Sequence, residues 1–151
     1  MKKYKTGCTQ GTFDMFHIGH LNPLYQANRL CEELIVGVNT VQLVNEYKHK
    51  HPVVNERYRA AIVGELRCVD KVVLCDTLSK TDAWQRLHFY AVFIVSDWKG
   101  NERWQQTERD LKPLGAEVVY LQHTEGISST LLRVETGNRV CDSNEEKTTQ
   151  E

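Results

Sequence analysis

Two imidazoles three residues apart, His17 and His20, fall inside the ten-residue run GTFDMFHIGH, Gly11–His20. At the mouth of a helix that spacing puts both rings on one face. A helix start leaves backbone N–H groups unpaired and carries partial positive charge, so an anion settles there, and two ring N–H groups can donate to it together. The chemistry this predicts is phosphate handling. Gly11 lets the backbone approach a phosphate, Gly19 keeps a side chain from between the imidazoles, and Thr12 and Phe13 offer backbone contacts to a nucleotide, with Asp14 completing the group. A shared metal ion is the rival reading of the pair, but no third ligand stands at a recognisable spacing. A second run, HTEGISST (His123–Thr130), reads as a loop entering a helix, with the hydroxyls of Ser128, Ser129 and Thr130 at its N-terminus.

Positioning these groups requires strands. Apolar runs of strand length recur at residues 4–9, 34–38, 71–74, 91–95 and 117–121, each followed by a polar or helix-patterned stretch. Continuous hydrophobicity predicts strands buried on both faces, and alternation with helices predicts a parallel sheet. The expected fold is a three-layer α/β/α sandwich with a mainly parallel sheet of about five strands. Ligands of such folds gather beyond the strands' carboxyl ends, where 11–20 and 96–100 fall.

The first helix is expected from Ile18 to about Glu32, with Leu21, Leu24, Tyr25 and Cys31 as its apolar stripe and Pro23 tolerated near the first turn. Asn55 reads as the N-cap of another helix that turns Tyr58, Ala61, Ile62 and Leu66 inward. The polar stretch 45–52, NEYKHKHP, reads as a mobile loop. Residues 1–136 are read as one domain, and the polar run 137–151 as a disordered tail that cannot bury enough surface to offset its ordering entropy.

Composition narrows the partners. With 19 basic and 20 acidic residues in 151, the net charge of −1 gives no general attraction for nucleic acid or anionic membranes, so small soluble ligands are favoured. The five cysteines, Cys8, Cys31, Cys68, Cys75 and Cys141, show no metal spacing and suit a reducing compartment. No signal-peptide pattern and no apolar run of membrane-spanning length is found, so a cytoplasmic protein is expected.

GTFDMFHIGH resembles the GTFDxxHxGH signature of the nucleotidyltransferase superfamily, and HTEGISST resembles the RTEGISTT segment of cytidylyltransferases. Together they span a resemblance over roughly residues 4–136, nearest to bacterial glycerol-3-phosphate cytidylyltransferases. It implies a Rossmann-like domain, commonly homodimeric, that joins CTP to a small phosphoalcohol such as sn-glycerol 3-phosphate, with Mg2+ accompanying the triphosphate and metal ligands unidentified. By the same resemblance His17, His20 and Lys50 stabilise the transition state, Lys48 and Lys80 face the acceptor phosphate, and Lys50 faces CTP. Arg59 matches a functional arginine of the family; its guanidinium could brace a phosphate or pair with Glu56 or Glu65 on the helix surface.

SDWKG (Ser96–Gly100) resembles the family's GDDWEG, which implies that Asp97 accepts from a ribose hydroxyl or a cytosine amino group and that Trp98 gives a flat surface. In the second motif His123, Thr124, Glu125, Gly126 and Ile127 lead into the three hydroxyl residues. The backbone around Thr124–Gly126 is expected to read the pyrimidine, and Ser128, Ser129 and Thr130 to hold the β- and γ-phosphates. Two departures stand out: Ser96 removes a carboxylate, and His123 replaces an arginine that is always charged. The stretch from Trp98 to His123 is also longer than in the glycerol-3-phosphate enzymes, and Arg103 or Arg109 could compensate for His123. Alternatives are another acceptor (phosphoethanolamine, phosphocholine, another capsule phosphoalcohol or a phosphorylated amide), an adenylyltransferase of the superfamily, or a nucleotide sensor without turnover.

Overall fold

A computed structural model of the protein describes residues 2–122; the second motif and the 137–151 tail lie outside the described residues. Five parallel strands, β1 (Tyr4–Gly11), β2 (Cys31–Asn39), β3 (Lys71–Cys75), β4 (Ala91–Val95) and β5 (Glu117–Leu121), form one sheet in the order β3-β2-β1-β4-β5. Between them run α1 (Ile18–Leu30), α2 (Val41–Lys48), α3 (Glu56–Gly64), α4 (Lys80–Leu87) and α5 (Glu102–Leu111). Among the described residues no helix is long and apolar enough to cross a membrane.

Alternation along the strands splits the interior into two cores. Leu34, Val36, Val38, Ala91 and Phe93 pack against Leu24 and Ala27 of α1 and Val63 of α3. Cys8, Val92 and Val118 face the other way, onto Ala83, Trp84 and Leu87 of α4 and Trp104 and Leu111 of α5. The sheet thus has helices on both faces, as its apolar strands require. Close approach inside it depends on Gly7, where a Cβ would lie 2.3 Å from the Phe93 ring.

The chain order reverses at β1. Its ladder to β2 continues to Gly11↔Val38, whereas its ladder to β4 stops at Cys8↔Val92. Past that point the Thr9 hydroxyl donates to the Phe93 carbonyl (2.9 Å), and the carboxyl ends of the two strands flank the switch point, where ligands of such sheets gather. Four helices begin just beyond strand ends, each capped by a side chain: His17, Thr40, Ser79 and Asn101 accept from the backbone N–H of Gly19, Leu43, Asp82 and Arg103. One edge of the sheet therefore collects several helix N-termini.

Several local expectations are corrected. α1 ends at Leu30 and Cys31 opens β2 directly, so the buried stripe is Leu24 and Ala27 while Tyr25 is exposed. Pro23 lies in the second turn of α1, where it withholds the N–H that would otherwise bond the Gly19 carbonyl. Residues 45–48 are helical, the last turn of α2, which closes on the left-handed His49 (φ 56°). Asn55 does cap α3, but the buried face is Arg59 and Val63; Tyr58 (69% exposed) and Ile62 (51%) point outward. A hydrogen-bonded arginine inside the fold has displaced the apolar stripe that periodicity favoured.

Candidate active site

Beyond β1 the backbone turns sharply. Phe13 and Met15 both adopt left-handed conformations (φ 54° and 50°), which bulky residues rarely hold without support. The support comes from three sides. Phe13 is buried, its ring so close to Gly11 that a Cβ there would lie 3.0 Å away. The buried Asp14 carboxylate accepts from the N–H groups of Val53 (2.7 Å) and Val54 (2.9 Å). Arg59, 1% exposed, donates from Nε to the Val54 carbonyl (2.7 Å) and from Nη1 to those of Thr12 (2.8 Å) and Asn39 (2.7 Å). Nε and Nη1 are therefore turned to backbone carbonyls, away from Glu65 on the helix surface, while the buried Nη2 has no hydrogen-bond partner among the described residues. The arginine is a positioning residue that fastens the loop after β1 to the ends of β2 and the 53–54 segment.

The turn delivers the histidines. His17 is the N-cap of α1: its Nδ1 accepts from Gly19 N–H (3.0 Å), and its own N–H donates to Nδ1 of His20 (3.2 Å). The rings stack, centroids 3.9 Å apart and planes at 26°. Phe13 and Phe16 hold the His20 ring at 5.5 and 5.3 Å. Because each Nδ1 is an acceptor, each neutral ring carries its proton on Nε2. Burial lowers the His17 pKa. It lowers that of His20 to about 4, helped by neighbouring His17 and Lys48 and opposed by Asp14. At neutral pH the pair is thus two uncharged N–H donors side by side, and positive charge must come from lysines nearby.

Lys48 ends α2 with its ammonium 5.5 Å from the Tyr47 ring, and its charge reaches His20. Lys50 follows the His49 turn, half-buried. Lys80, 8% exposed, opens α4 and donates to Gln10 Oε1. From Gln10 a polar chain crosses the strand ends. Its Nε2 donates to Asn39 Oδ1 (2.8 Å) and the Thr77 carbonyl (3.0 Å), and Asn39 Nδ2 donates to the Tyr47 hydroxyl (3.1 Å), itself 3.3 Å from Thr12 Oγ1. Gln10, Asn39 and Tyr47 escaped the sequence reading. Their only trace there is a polar residue at the end of each of two apolar strands.

Asp97 and Trp98 occupy a 3-10 turn, Ser96–Trp98, directly after β4, both exposed. Arg103 lies on the first turn of α5 against Trp98, whereas Arg109, near the far end of that helix, bonds Gln106. His123–Thr130 lie outside the described residues. The chain just before them is tied to α1, Gln122 N–H donating to Gln26 Oε1 (3.0 Å) and Gln26 Nε2 to the Gln122 carbonyl (3.1 Å). Among the described residues no three His, Cys, Asp or Glu side chains converge to hold a metal ion.

A parallel sheet in this order, with helix starts and a paired-imidazole cap beyond its switch point, defines a nucleotide-binding α/β domain of the Rossmann type. The chain belongs to the cytidylyltransferase-like family, whose model matches residues 8–135. It is similar to glycerol-3-phosphate cytidylyltransferase of Staphylococcus aureus, 31% identical over 84% of this chain and 91% of that one. FAD synthase of Korarchaeum cryptofilum is 32% identical over 82% and 86%. The bifunctional protein HldE of Caulobacter vibrioides is 45% identical over 48% of this chain, which spans only 15% of that protein. Among solved structures, the lipopolysaccharide core biosynthesis protein of Thermoplasma volcanium superposes with a TM-score of 0.68 at 22% identity, covering 82% of this chain and 99% of that one.

Proposed function

We propose that the protein transfers the cytidylyl group of CTP to a small phosphoalcohol, sn-glycerol 3-phosphate first among them, releasing pyrophosphate. The observation that carries this reading is the stacked pair of neutral donors, His17 and His20, capping α1 beside Lys48 at the switch point of the sheet. The likeness to a glycerol-3-phosphate cytidylyltransferase over most of both chains supports the base and the acceptor class.

In this reading an acceptor phosphate oxygen attacks the α-phosphorus in line. A new P–O bond forms as the bond to the bridging α–β oxygen breaks, and pyrophosphate leaves with the electron pair. Positioning and electrostatics suffice, with no covalent enzyme intermediate. The Nε2–H groups of His17 and His20 donate to the oxygens that gain charge. Lys50 neutralises the triphosphate, and Lys48 and Lys80 draw in the acceptor's phosphate. Thr12 and Phe13 offer backbone to the nucleotide, Asp97 and Trp98 flank its nucleoside, and the His123–Thr130 motif supplies contacts to the base and outer phosphates. Mg2+ would reach the site ligated by the triphosphate's own oxygens.

The experiment is a pyrophosphate-release screen of CTP and ATP against a panel of phosphoalcohols. Release with CTP and sn-glycerol 3-phosphate is expected. Release with CTP and a different phosphoalcohol would change the acceptor alone. A second reading, adenylyl transfer, draws on the equally extensive likeness to an FAD synthase, and release confined to ATP would establish it in place of the first.

A further inference from the structure

The Tyr47 hydroxyl lies where two halves of the site meet. One half is the turn after β1, which carries Thr12 and delivers the histidine pair; the other is the eight-residue α2, which carries Lys48 on its last turn. Tyr47 Oη is 3.3 Å from Thr12 Oγ1 and accepts from Asn39 Nδ2 (3.1 Å), which also reaches Thr12 Oγ1 (3.4 Å). Arg59 grips the same two residues by their carbonyls, so this corner of backbone is already fixed from α3. The start of α2 is held by its Thr40 cap and by Glu56, which accepts from Val41 N–H (2.8 Å), and its middle by buried Leu43 and Val44. Its last turn is tied to the corner through Tyr47.

The same ring carries the lysine. The Lys48 ammonium lies 5.5 Å from the Tyr47 centroid. Lys48 is exposed and, among the described residues, pairs with no carboxylate; the ion pair there is Lys3–Glu117. An ammonium on a flexible four-carbon stem spreads its charge over many rotamers, and an aromatic face attracts it and narrows that spread. With its hydroxyl toward the turn and its ring beside the ammonium, Tyr47 sets how far the charge of Lys48 stands from the histidine donors. Charge placed by the fold needs no rearrangement when a phosphate arrives.

We propose that Tyr47 is a positioning residue, whose hydroxyl locks the last turn of α2 to Thr12 and whose ring holds Lys48 ready for a phosphate. That this phosphate is the acceptor's rests on the reaction proposed above; the coupling between ring and lysine does not.

The test titrates the full chain calorimetrically with sn-glycerol 3-phosphate and with inorganic phosphate, and then measures pyrophosphate release. Tyr47→Leu, which removes both ring and hydroxyl, is expected to weaken sn-glycerol 3-phosphate about tenfold. Its KM should rise to match, with kcat within about twofold of wild type. Tyr47→Phe keeps the ring and should recover part of the loss, to about threefold. Because the ring acts through the lysine, Tyr47→Leu combined with Lys48→Gln should bind no more weakly than Lys48→Gln alone. A role confined to folding would lower the melting temperature and leave these constants where they were. The inference is overturned if wild type binds neither phosphate, if Tyr47→Leu binds sn-glycerol 3-phosphate as before, if kcat falls while KM stays, or if the losses of the two single variants multiply in the double one. The same coupling, seen with inorganic phosphate in a chain that releases no pyrophosphate, would sustain the role of Tyr47 and overturn the reaction.

Discussion

A histidine that caps a helix and a histidine that binds phosphate are separable by substitution. His17→Ala should cost about 1 kcal/mol of stability through the lost cap, and turnover should fall about 100-fold or more. His17→Asn should recover the stability, since asparagine caps as well, but not the turnover. Thermal melts and pyrophosphate release on the two variants check this, and near-normal turnover in His17→Asn would remove the ring from the mechanism. His20 makes a prediction about pH. Its folded pKa, about 4, lies below the ordinary 6.5, so above pH 6.5 both folded and unfolded chains carry a neutral ring and its contribution is fully present. Between 6.5 and 4 the unfolded chain takes up a proton that the folded ring refuses, and stability falls by about 3 kcal/mol at most. Urea midpoints from pH 7 to 4.5 should therefore drop more steeply for wild type than for His20→Gln; parallel slopes would contradict it.

At the scale of elements, the loop after β1 is held by α3. Arg59→Met would leave the carbonyls of Thr12, Asn39 and Val54 without their donor and is expected to cost about 3 kcal/mol or more. Arg59→Lys should restore little, because one ammonium cannot fork to three separated acceptors. Denaturant unfolding measures both, and a cost for Arg59→Met under about 1 kcal/mol would mean that water replaces the guanidinium. This brace also marks the limit of what the sequence discloses. The histidine pair is legible because both rings and their helix start lie in one contiguous run. The three carbonyls belong to segments 15 to 27 residues apart that only the sheet order brings together, so no local pattern announces them. The same blindness reversed the face of α3: Tyr58, Ala61 and Ile62 have an apolar spacing, yet the interior takes the arginine. The polar 45–48 segment reads as loop by composition, but Thr40 caps it as helix and Tyr47 anchors it to the strand ends.

For the whole molecule, the strand runs at 91–95 and 117–121 were legible to the residue, because doubly covered parallel strands have no polar alternation to blur their ends. The prediction at this scale concerns linkage. CTP at about 100 times its dissociation constant should stabilise the folded chain by about 2.7 kcal/mol, and ATP at the same concentration by clearly less. Thermal melts with each nucleotide check this, and a larger shift with ATP would favour adenylyl chemistry. The two left-handed residues of the turn, Phe13 and Met15, bear on how such a site can be moved or inherited. Their shape is imposed by partners 39 to 47 positions away in the chain, Val53, Val54 and Arg59. The ten-letter signature is therefore not portable. Grafted onto another strand–helix junction without those partners, it would relax into an ordinary turn, and the two rings would lose their parallel alignment.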